Sequence, residues 1–386
     1  MNLPEGFRSH VANVGIKDAT DDFVVVASVR PCVAAGVFTK SRFAGPSVVV
    51  SRENIADHAA RAMVVISKNA NVATGDEGLD NARRVVAAVA DALGCPPGEV
   101  LIASTGVIGR QYPMDRIEAG LAALEWPFTG TSVADVAAGI MTTDTRPKHA
   151  AVEVDGCRIV GMAKGVGMIE PDMATMIAMF FTDAELDAPT LNAVFRRVVD
   201  QTFNCVSVDT DTSTSDTAVI LANGAAGPVD LAAFETALAE VALHLTKEIA
   251  RDGEGATKLI EVTVDEARDA AQARRVAKSI VNSPLVKTAI HGADPNWGRV
   301  AMAVGKCSDD FDIDETKVVI RFGTQEVYPA RVDAEGLGAL SDYMRGTDVL
   351  IHVSLGVDAG AGGGSATVWG CDLSDGYVRI NADYTT

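Results

Sequence analysis

The sequence has few cysteines, and their placement predicts neither a disulfide nor a metal site. The six cysteines are scattered over 386 residues without any C-x-x-C pair, at positions 32, 95, 157, 205, 307 and 371. The first residues, MNLPEGFRSH, lack the basic start and apolar run of a signal peptide. In a chain of this size without such a signal, the cysteines are interpreted as small buried apolar residues.

Aromatic residues and long apolar runs are also scarce. Aromatic side chains make up 5% of the sequence, whereas hydrophobic residues make up 48%. The cores must therefore consist of Ala, Val, Leu, Ile and Met. The longest apolar candidate, residues 176–181, has the length of a strand and is too short to cross a bilayer. We expect a soluble, cytoplasmic protein.

Basic residues are too few to balance the acidic ones. Lys and Arg number 33 against 52 Asp and Glu, which gives a formal charge of −19. A surface of that sign repels phosphate backbones, so neither nucleic acid nor an anionic membrane is expected as a partner. Asp209, Asp211 and Asp216 resemble part of a calcium loop, but the glycine and closing glutamate of that motif are missing. We therefore predict no metal and no cofactor.

The order of the predicted elements favours a layered α+β fold. Apolar residues recur at helical spacing in residues 79–93, 113–125, 132–140, 187–200, 231–250 and 266–280. Several strand patterns, among them residues 47–51, precede single helices, which argues against a doubly wound parallel sheet. The glycine-rich residues 356–365 are interpreted as a hairpin connection. The charged residues after 265 predict a main domain of residues 1–265 and a smaller α+β domain of residues 266–386.

Residues 163–183 contain a hydroxyl side chain where a self-activating nucleophile would need one. Thr175 follows the turn-like Glu170-Pro171-Asp172 and opens the apolar strand pattern. Cleavage of the bond before Thr175 would free an α-amino group beside the hydroxyl, and this amine can serve as the base that the hydroxyl lacks. The alternative is that Thr175 simply begins a core strand, which the pattern alone favours.

The same segment resembles the cleavage site of the ornithine acetyltransferase family, the bifunctional acyltransferases of arginine biosynthesis. Residues 164–176 (KGVGMIEPDMATM) carry the signature. Further matches, in order along the chain, are 69–75 (NANVATG), 104–109 (STGVIG), 142–145 (TTDT), 209–214 (DTDTST), 252–258 (DGEGATK), 282–288 (NSPLVKT), 292–298 (GADPNWG) and 381–386 (NADYTT). The resemblance therefore extends over almost the whole chain.

The resemblance implies a fold and a reaction. The fold is the layered αββα type of DmpA and ornithine acetyltransferases, which is similar to that of N-terminal nucleophile enzymes. Self-cleavage between Ala174 and Thr175 would give an α chain, 1–174, and a β chain, 175–386. Acetyl would pass from N-acetylornithine to glutamate through acetyl-Thr175 in a ping-pong reaction. The family further suggests an α2β2 heterotetramer.

Matching positions also imply roles for individual residues. Thr105 and Gly106 resemble the oxyanion hole of the family, in which donors stabilise the tetrahedral intermediate. The substrate-contacting positions correspond to Thr142, Lys164, Thr175, Glu254, Asn381 and Thr386. Lys164 and Glu254 would hold the carboxylate and the amine of an amino-acid substrate. Without the resemblance, each would be interpreted as a solvated surface charge.

The cleavage segment departs from the usual family pattern at three positions. Val166, Glu170 and Asp172 stand where the family usually has Ser, His and Asn. Together with residues 43–48 (FAGPSV) and 110–114 (RQYPM), these changes resemble the paralogue found in clavulanic-acid gene clusters. The departures put the use of acetyl-CoA, which some family members accept, in question.

Two other functions remain open from the sequence. The same self-cleaving scaffold would also suit an aminopeptidase or amidase, in which water replaces glutamate as the acceptor of the acyl group. A binding protein without catalytic activity would require loss of the nucleophile, but Thr175, Thr105 and Gly106 are all present.

Overall fold

The structure, a computed structural model, describes residues 1–170, 176–357 and 363–383. These residues form two compact units, one of Met1–Asn204 with Asp211–Ile249, the other of Cys205–Thr210 with the residues from Ala250 onward. The domain division after residue 265 stays a prediction; a strand that crosses it, Leu259–Ala267, belongs to the second unit. Ala174, Thr175 and Thr386 lie outside the described residues.

The described part of the first unit contains one mixed sheet of eight strands. They are β1 (Phe7–Ala12), β2 (Phe23–Phe38), β3 (Ala59–Ile66), β4 (Val100–Ser104), β5 (Lys148–Val154), β6 (Cys157–Lys164), β7 (Ile177–Glu185) and β9 (Thr217–Pro228); β8 belongs to the second unit. The order is β4-β3-β2-β9-β7-β6-β5, and β1 pairs with β2. Asp155 and Gly156 form the turn that joins β5 to β6, and both residues have positive φ, 50° and 81°.

This sheet folds back on itself around a shared core. Val24 of β2 and Leu101 of β4 belong to the same buried cluster as Met162 of β6 and Phe181 of β7, although β4 lies at one end of the sheet order and β6 lies next to the other end. The ring of Phe7 in β1 contacts that of Phe181, with centroids 5.2 Å apart. The two halves of the sheet therefore face each other as two layers.

Helices cover the outer faces of both halves. The helices of this unit are α1 (Pro46–Asn54), α2 (Gly75–Leu93), α3 (Met114–Ala122), α4 (Val133–Gly139), α5 (Ala188–Gln201) and α6 (Leu231–Arg251), whose last residues enter the second unit. The apolar stripe of α2, including Val85 and Val89, packs on the outer face of β2, β3 and β4. On the other half, Phe195 of α5 contacts Phe180 of β7 edge-to-face, with ring centroids 5.8 Å apart.

The predicted strand at residues 47–51 is wrong, because this segment lies within helix α1. Pro46 stands in the first turn of the helix, where its missing N–H costs nothing. The hydroxyl of Ser51 donates to Ile102 O at 2.6 Å and accepts from Ile102 N at 2.7 Å. The helix thereby satisfies backbone groups at the outer edge of β4 that a neighbouring strand would otherwise pair.

The second unit contains a six-stranded sheet in the order β12-β11-β13-β10-β14-β8. Its strands are β8 (Val206–Ser207), β10 (Leu259–Ala267), β11 (Val319–Phe322), β12 (Gln325–Tyr328), β13 (Asp348–Ser354) and β14 (Gly364–Cys371). Its further helices are α7 (Ala270–Val281), α8 (Pro284–His291), α9 (Trp297–Gly305), α10 (Ala334–Met344) and α11 (Asp375–Asp383). The predicted hairpin at residues 356–365 is wrong, because β10 lies between β13 and β14 and pairs with both.

These observations confirm the α+β class and the layered αββα arrangement of the first unit. None of the helices in the described ranges is long and apolar enough to cross a membrane. No cluster of three or more His, Cys, Asp or Glu side chains that could hold a metal ion occurs within residues 1–170, 176–357 and 363–383.

Candidate active site

Thr105 and Gly106 lie directly after the carboxyl end of β4. Thr105 N donates to Ile66 O at 3.1 Å, and Val107 N donates to Lys68 O at 3.4 Å. Gly106 lies between them and donates no backbone hydrogen bond to any residue in the described ranges. Its φ of 127° and the backbone of Lys68, which would lie 2.3 Å from an added Cβ, both require glycine here.

The segment packed against Gly106 has an unusual backbone. Lys68, Asn71 and Ala73 have positive φ values of 73°, 50° and 58°. A positive φ is uncommon in residues other than glycine, and three of them in so short a segment are unusual. Backbone strain of this kind concentrates at functional sites. The segment is the NANVATG motif with one residue before it, and its conformation brings the chain close to Gly106.

A buried hydroxyl cluster fixes the residue before Thr105. The hydroxyl of Ser104 lies 2.5 Å from that of Ser47 in α1 and also hydrogen bonds with Tyr112. Burial raises the pKa of the Tyr112 hydroxyl, although hydrogen bonds from Ser104 and Ser47 oppose the shift. The cluster anchors the end of β4 and with it the Thr105–Gly106 turn.

Lys164, the last residue of β6, points its ammonium group at this turn. Lys164 Nζ lies 3.3 Å from Thr105 Oγ1, and 10% of the lysine side chain is exposed. In the sheet, Lys164 pairs with Ile177 of β7, which in turn pairs with Thr217 of β9. The ends of β4 and β6 and the beginnings of β7 and β9 therefore meet at one side of the folded sheet.

A buried carboxylate, Asp144, connects Lys164 with Thr142. Asp144 lies 2.7 Å from Lys148 Nζ and 3.9 Å from Lys164 Nζ, and the side chains of Asp144 and Lys148 are fully buried. Its oxygens also accept from Thr142 N at 3.2 Å and from Gly165 N at 2.7 Å. Burial alone would raise the pKa of Asp144, but the charges of Lys164 and Lys148 and the hydrogen bonds outweigh it and lower that pKa.

Asp144 and Lys148 are site residues that the sequence analysis missed. Asp144 stands inside the TTDT motif, which drew attention only to Thr142. A signal existed, since an Asp and a Lys four residues apart can form an ion pair, but nothing in the sequence shows that both are buried. The structure brings Thr105, Thr142, Lys164 and the Asp144–Lys148 pair together.

Two predicted residues meet in the second unit. Asn381 Nδ2 in α11 donates to Glu254 Oε2 at 2.8 Å. Glu254 lies between two glycines, and Gly255 has a φ of 71° and would place a Cβ 2.3 Å from Tyr377 N. The loop thus packs directly on the first turn of α11 because Gly255 has no side chain.

The remaining predicted residues, Ala174, Thr175 and Thr386, lie outside the described ranges. Thr175 is bonded to Met176, which is buried and whose carbonyl accepts from Thr217 N at 2.9 Å. The chain therefore enters β7 at Ile177, beside Lys164 in the sheet and two residues after Thr175 in the sequence.

The arrangement in the first unit suits the stabilisation of a negatively charged oxygen. A lysine ammonium, a threonine hydroxyl and an N–H without an acceptor within the described ranges lie at one turn. Such fixed donors are effective where charge develops on a carbonyl oxygen during acyl transfer.

Comparisons of the sequence with a family model and with curated proteins match nearly the full length of the chain. A model of the ArgJ family matches residues 8–386. The glutamate N-acetyltransferase Oat2 of Streptomyces clavuligerus is 59% identical, covering 99% of this chain and 98% of the relative. The arginine biosynthesis bifunctional protein ArgJ 2 of Nostoc sp. is 57% identical, covering 100% and 98%. Among solved structures, ArgJ of Bacillus halodurans is 40% identical with a TM-score of 0.48, covering 52% of this chain and 96% of that chain.

Proposed function

This chain belongs to the ArgJ family, and on that premise we propose that it is a glutamate N-acetyltransferase. The reaction moves acetyl from N-acetylornithine to glutamate. Similarity to a glutamate N-acetyltransferase at 59% identity over 99% of the chain supports the reaction. The observation that supports the site is the 3.3 Å contact between Lys164 Nζ and Thr105 Oγ1 at the turn with Gly106.

The nucleophile of this reaction is the hydroxyl of Thr175. The chain first cuts itself between Ala174 and Thr175, which gives Thr175 a free α-amino group. That amine accepts the hydroxyl proton while the oxygen attacks the acetyl carbonyl of N-acetylornithine. Ornithine leaves, and the amine of glutamate then takes the acetyl group from Thr175 in the second half of the reaction.

The Thr105 hydroxyl and the Gly106 N–H form the oxyanion hole. The fixed backbone of Gly106 supports this role, because the donor needs no rearrangement when charge develops. The ammonium of Lys164 adds a positive charge beside Thr105. Removing one donor from such a hole typically costs about 3–4 kcal/mol of transition-state stabilisation.

The amino-acid parts of the substrates bind to the charged and polar residues. Lys164 and Thr142 hold the carboxylate end, and Asp144 with Lys148 keeps both in position. Glu254, supported by Asn381, and Thr386 are the remaining residues of the substrate-contacting set. The hydrogen bond from Asn381 to Glu254 supports the assignment of these two residues.

The enzyme acts in the cytoplasm on small molecules, as an α2β2 heterotetramer of the cleaved chains. No metal or cofactor takes part. Glu170, Val166 and Asp172 differ from the usual family block, which argues against acetyl-CoA as the acetyl donor.

Self-cleavage is tested by the size and the amino-terminal sequence of the purified chains. We expect two fragments of similar size in place of the 40.2 kDa chain, one of them beginning with Thr175. Thr175→Ala should leave one uncut chain without transferase activity. Thr182→Ala, in the same strand, is the control that should still be cut. Turnover by Thr175→Ala would refute the assigned nucleophile.

The acceptor is tested with N-acetylornithine labelled in its acetyl group. We expect label to appear in N-acetylglutamate when glutamate is present and little free acetate in its absence. Equal release of acetate without glutamate would instead identify a hydrolase, which is the second reading of the sequence.

A further inference from the structure

Asp216 is a buried acid that the proposed reaction does not use. The residue is 1% exposed, and it immediately precedes β9. Neither of its carboxyl oxygens has a hydrogen-bond partner among the described residues. A buried polar group without a partner costs about 1–3 kcal/mol. A side chain that served only to fill space would not require a carboxyl group here.

The position of Asp216 in the sheet places it at the beginning of β7. Thr217 N donates to Met176 O at 2.9 Å, and Thr217 pairs with Ile177 in parallel register. One step back along both strands, Asp216 stands beside Met176. Met176 is bonded to Thr175, so Asp216 is a sheet neighbour of the residue that follows the proposed nucleophile.

The surroundings of the carboxyl group favour its neutral form. Burial raises the pKa of Asp216 well above its ordinary value, and the Thr39 and Ser213 hydroxyls, Met176 N–H and the charge of Lys164 offset this only in part. None of these donors forms a hydrogen bond with the carboxyl oxygens within the described ranges. The charge that acts on Asp216 is the ammonium of Lys164, which is also close to Asp144 and Thr105.

We propose that Asp216 is the proton donor of the self-cleavage step. This inference rests on the proposed function, because it concerns the bond whose cleavage exposes Thr175. A neutral acid at the beginning of β7 can protonate the amide nitrogen that must leave. General acids of this kind typically accelerate such a step by about 10²–10⁴-fold.

The step balances in atoms and protons. The Thr175 oxygen forms a bond to the carbonyl carbon of Ala174, and the bond from that carbon to the nitrogen of Thr175 breaks. The nitrogen gains one proton from Asp216 and becomes an amine. The hydroxyl of Thr175 loses one proton, which restores the acid. Water then hydrolyses the new ester, which frees the Ala174 carboxylate and the Thr175 hydroxyl.

The substitution Asp216→Asn separates this role from a structural one. The amide has nearly the same shape as the neutral acid and keeps a donor and an acceptor, but it cannot release a proton at neutral pH. We expect the Asp216→Asn precursor, made by cell-free translation, to be cut at least about 100-fold more slowly than the natural chain. Its melting temperature should not be lower than that of the uncut Thr175→Ala chain.

Asp183→Asn is the matched control. Asp183 is also a buried acid, in β7 itself, but its oxygens accept from Glu5 N at 3.1 Å and from Arg158 N at 2.6 Å. We expect this variant to lose stability and to be cut at the natural rate. Cutting of Asp216→Asn at the natural rate would overturn the inference while leaving the proposed function intact.

The natural precursor provides a test that needs no variant. Because the donor must be protonated, the rate of self-cleavage should fall where the pH exceeds the raised pKa of Asp216, in a pH series continued to the highest pH at which the chain stays folded. A rate that does not fall there would overturn the inference, even if Asp216→Asn proved unable to fold. A natural chain that is never cut would instead refute the proposed function itself.

Discussion

Single residues at the turn after β4 show how closely the site depends on backbone geometry. The close approach of Lys68 to Gly106 leaves no room for a side chain, and the φ of Gly106 is one that other residues avoid. The glycine thus determines both the path of the chain and the direction of its N–H. A substitution here tests the packing and the chemistry together.

Gly106→Ala is expected to impair both stability and turnover. A Cβ would lie 2.3 Å from Lys68 C and 2.5 Å from Lys68 Cα, so one of the two segments must move. Gly109→Ala is the control, since Gly109 also has a positive φ but has no atom within 4 Å of an added Cβ. Urea unfolding should show Gly106→Ala to be about 1–3 kcal/mol less stable than the control. Its kcat should fall about 100-fold because the donor is displaced. Equal stability and equal kcat of the two variants would contradict the assignment of the Gly106 N–H to the oxyanion hole.

The sequence motifs point to the residues proposed for the chemistry, but not to those that support them. Thr105, Gly106 and Lys164 stand in motifs that could be matched one by one. Asp144, Lys148 and Asp216 do not reveal their burial in the sequence. The contact between Lys164 and Thr105 joins residues 59 positions apart, and no local pattern predicts it.

At the scale of elements, periodicity predicted long amphipathic helices well and short buried ones poorly. The predicted helix at residues 79–93 lies within α2, and the residues 231–250 lie within α6. The three valines of residues 47–51 favour a strand. Tertiary packing overrides that preference, since α1 lies against the edge of β4 and needs apolar residues on a helical face.

Ser51→Ala tests how α1 covers the edge of β4. The hydroxyl of Ser51 hydrogen bonds with both the N–H and the C=O of Ile102, and it is fully buried. Its loss would leave both backbone groups without a partner, which should lower the free energy of unfolding by about 1–3 kcal/mol. Thr236→Ala is the control, because Thr236 is less buried and bonds only within its own helix, to Ala232 O. Thr236→Ala should lower the free energy of unfolding by less than about 0.5 kcal/mol. Equal losses would show that the edge does not depend on Ser51.

At the scale of the whole molecule, the sheet of the first unit interleaves strands from both sides of the proposed cut. The order β2-β9-β7-β6 places β7 and β9, which follow Thr175, between β2 and β6, which precede it. The pairing of β2 with β9 and of β6 with β7 is antiparallel and continuous over six residue pairs in each case. The two chains would thus share one sheet and one core.

The interleaved sheet predicts a difference in refolding between the cut and the uncut protein. After denaturation and dilution, two separate chains must find each other, so the refolding half-time of the cut protein should shorten as its concentration is raised. Thr175→Ala, which keeps one chain, should refold with a half-time that does not depend on concentration in the same range. Identical concentration dependence of the two proteins would show that the sheet does not join separate chains.

The position of β7 and β9 in the sheet also sets the order in which folding and the proposed cleavage occur. The strands must be in place before the bond is broken, because afterwards no covalent connection brings them between β2 and β6. The proposed cut would therefore occur only in a chain that has completed its folding. After the cut, refolding would require two chains to meet, so at low concentration the durability of the enzyme would depend on the rate of unfolding.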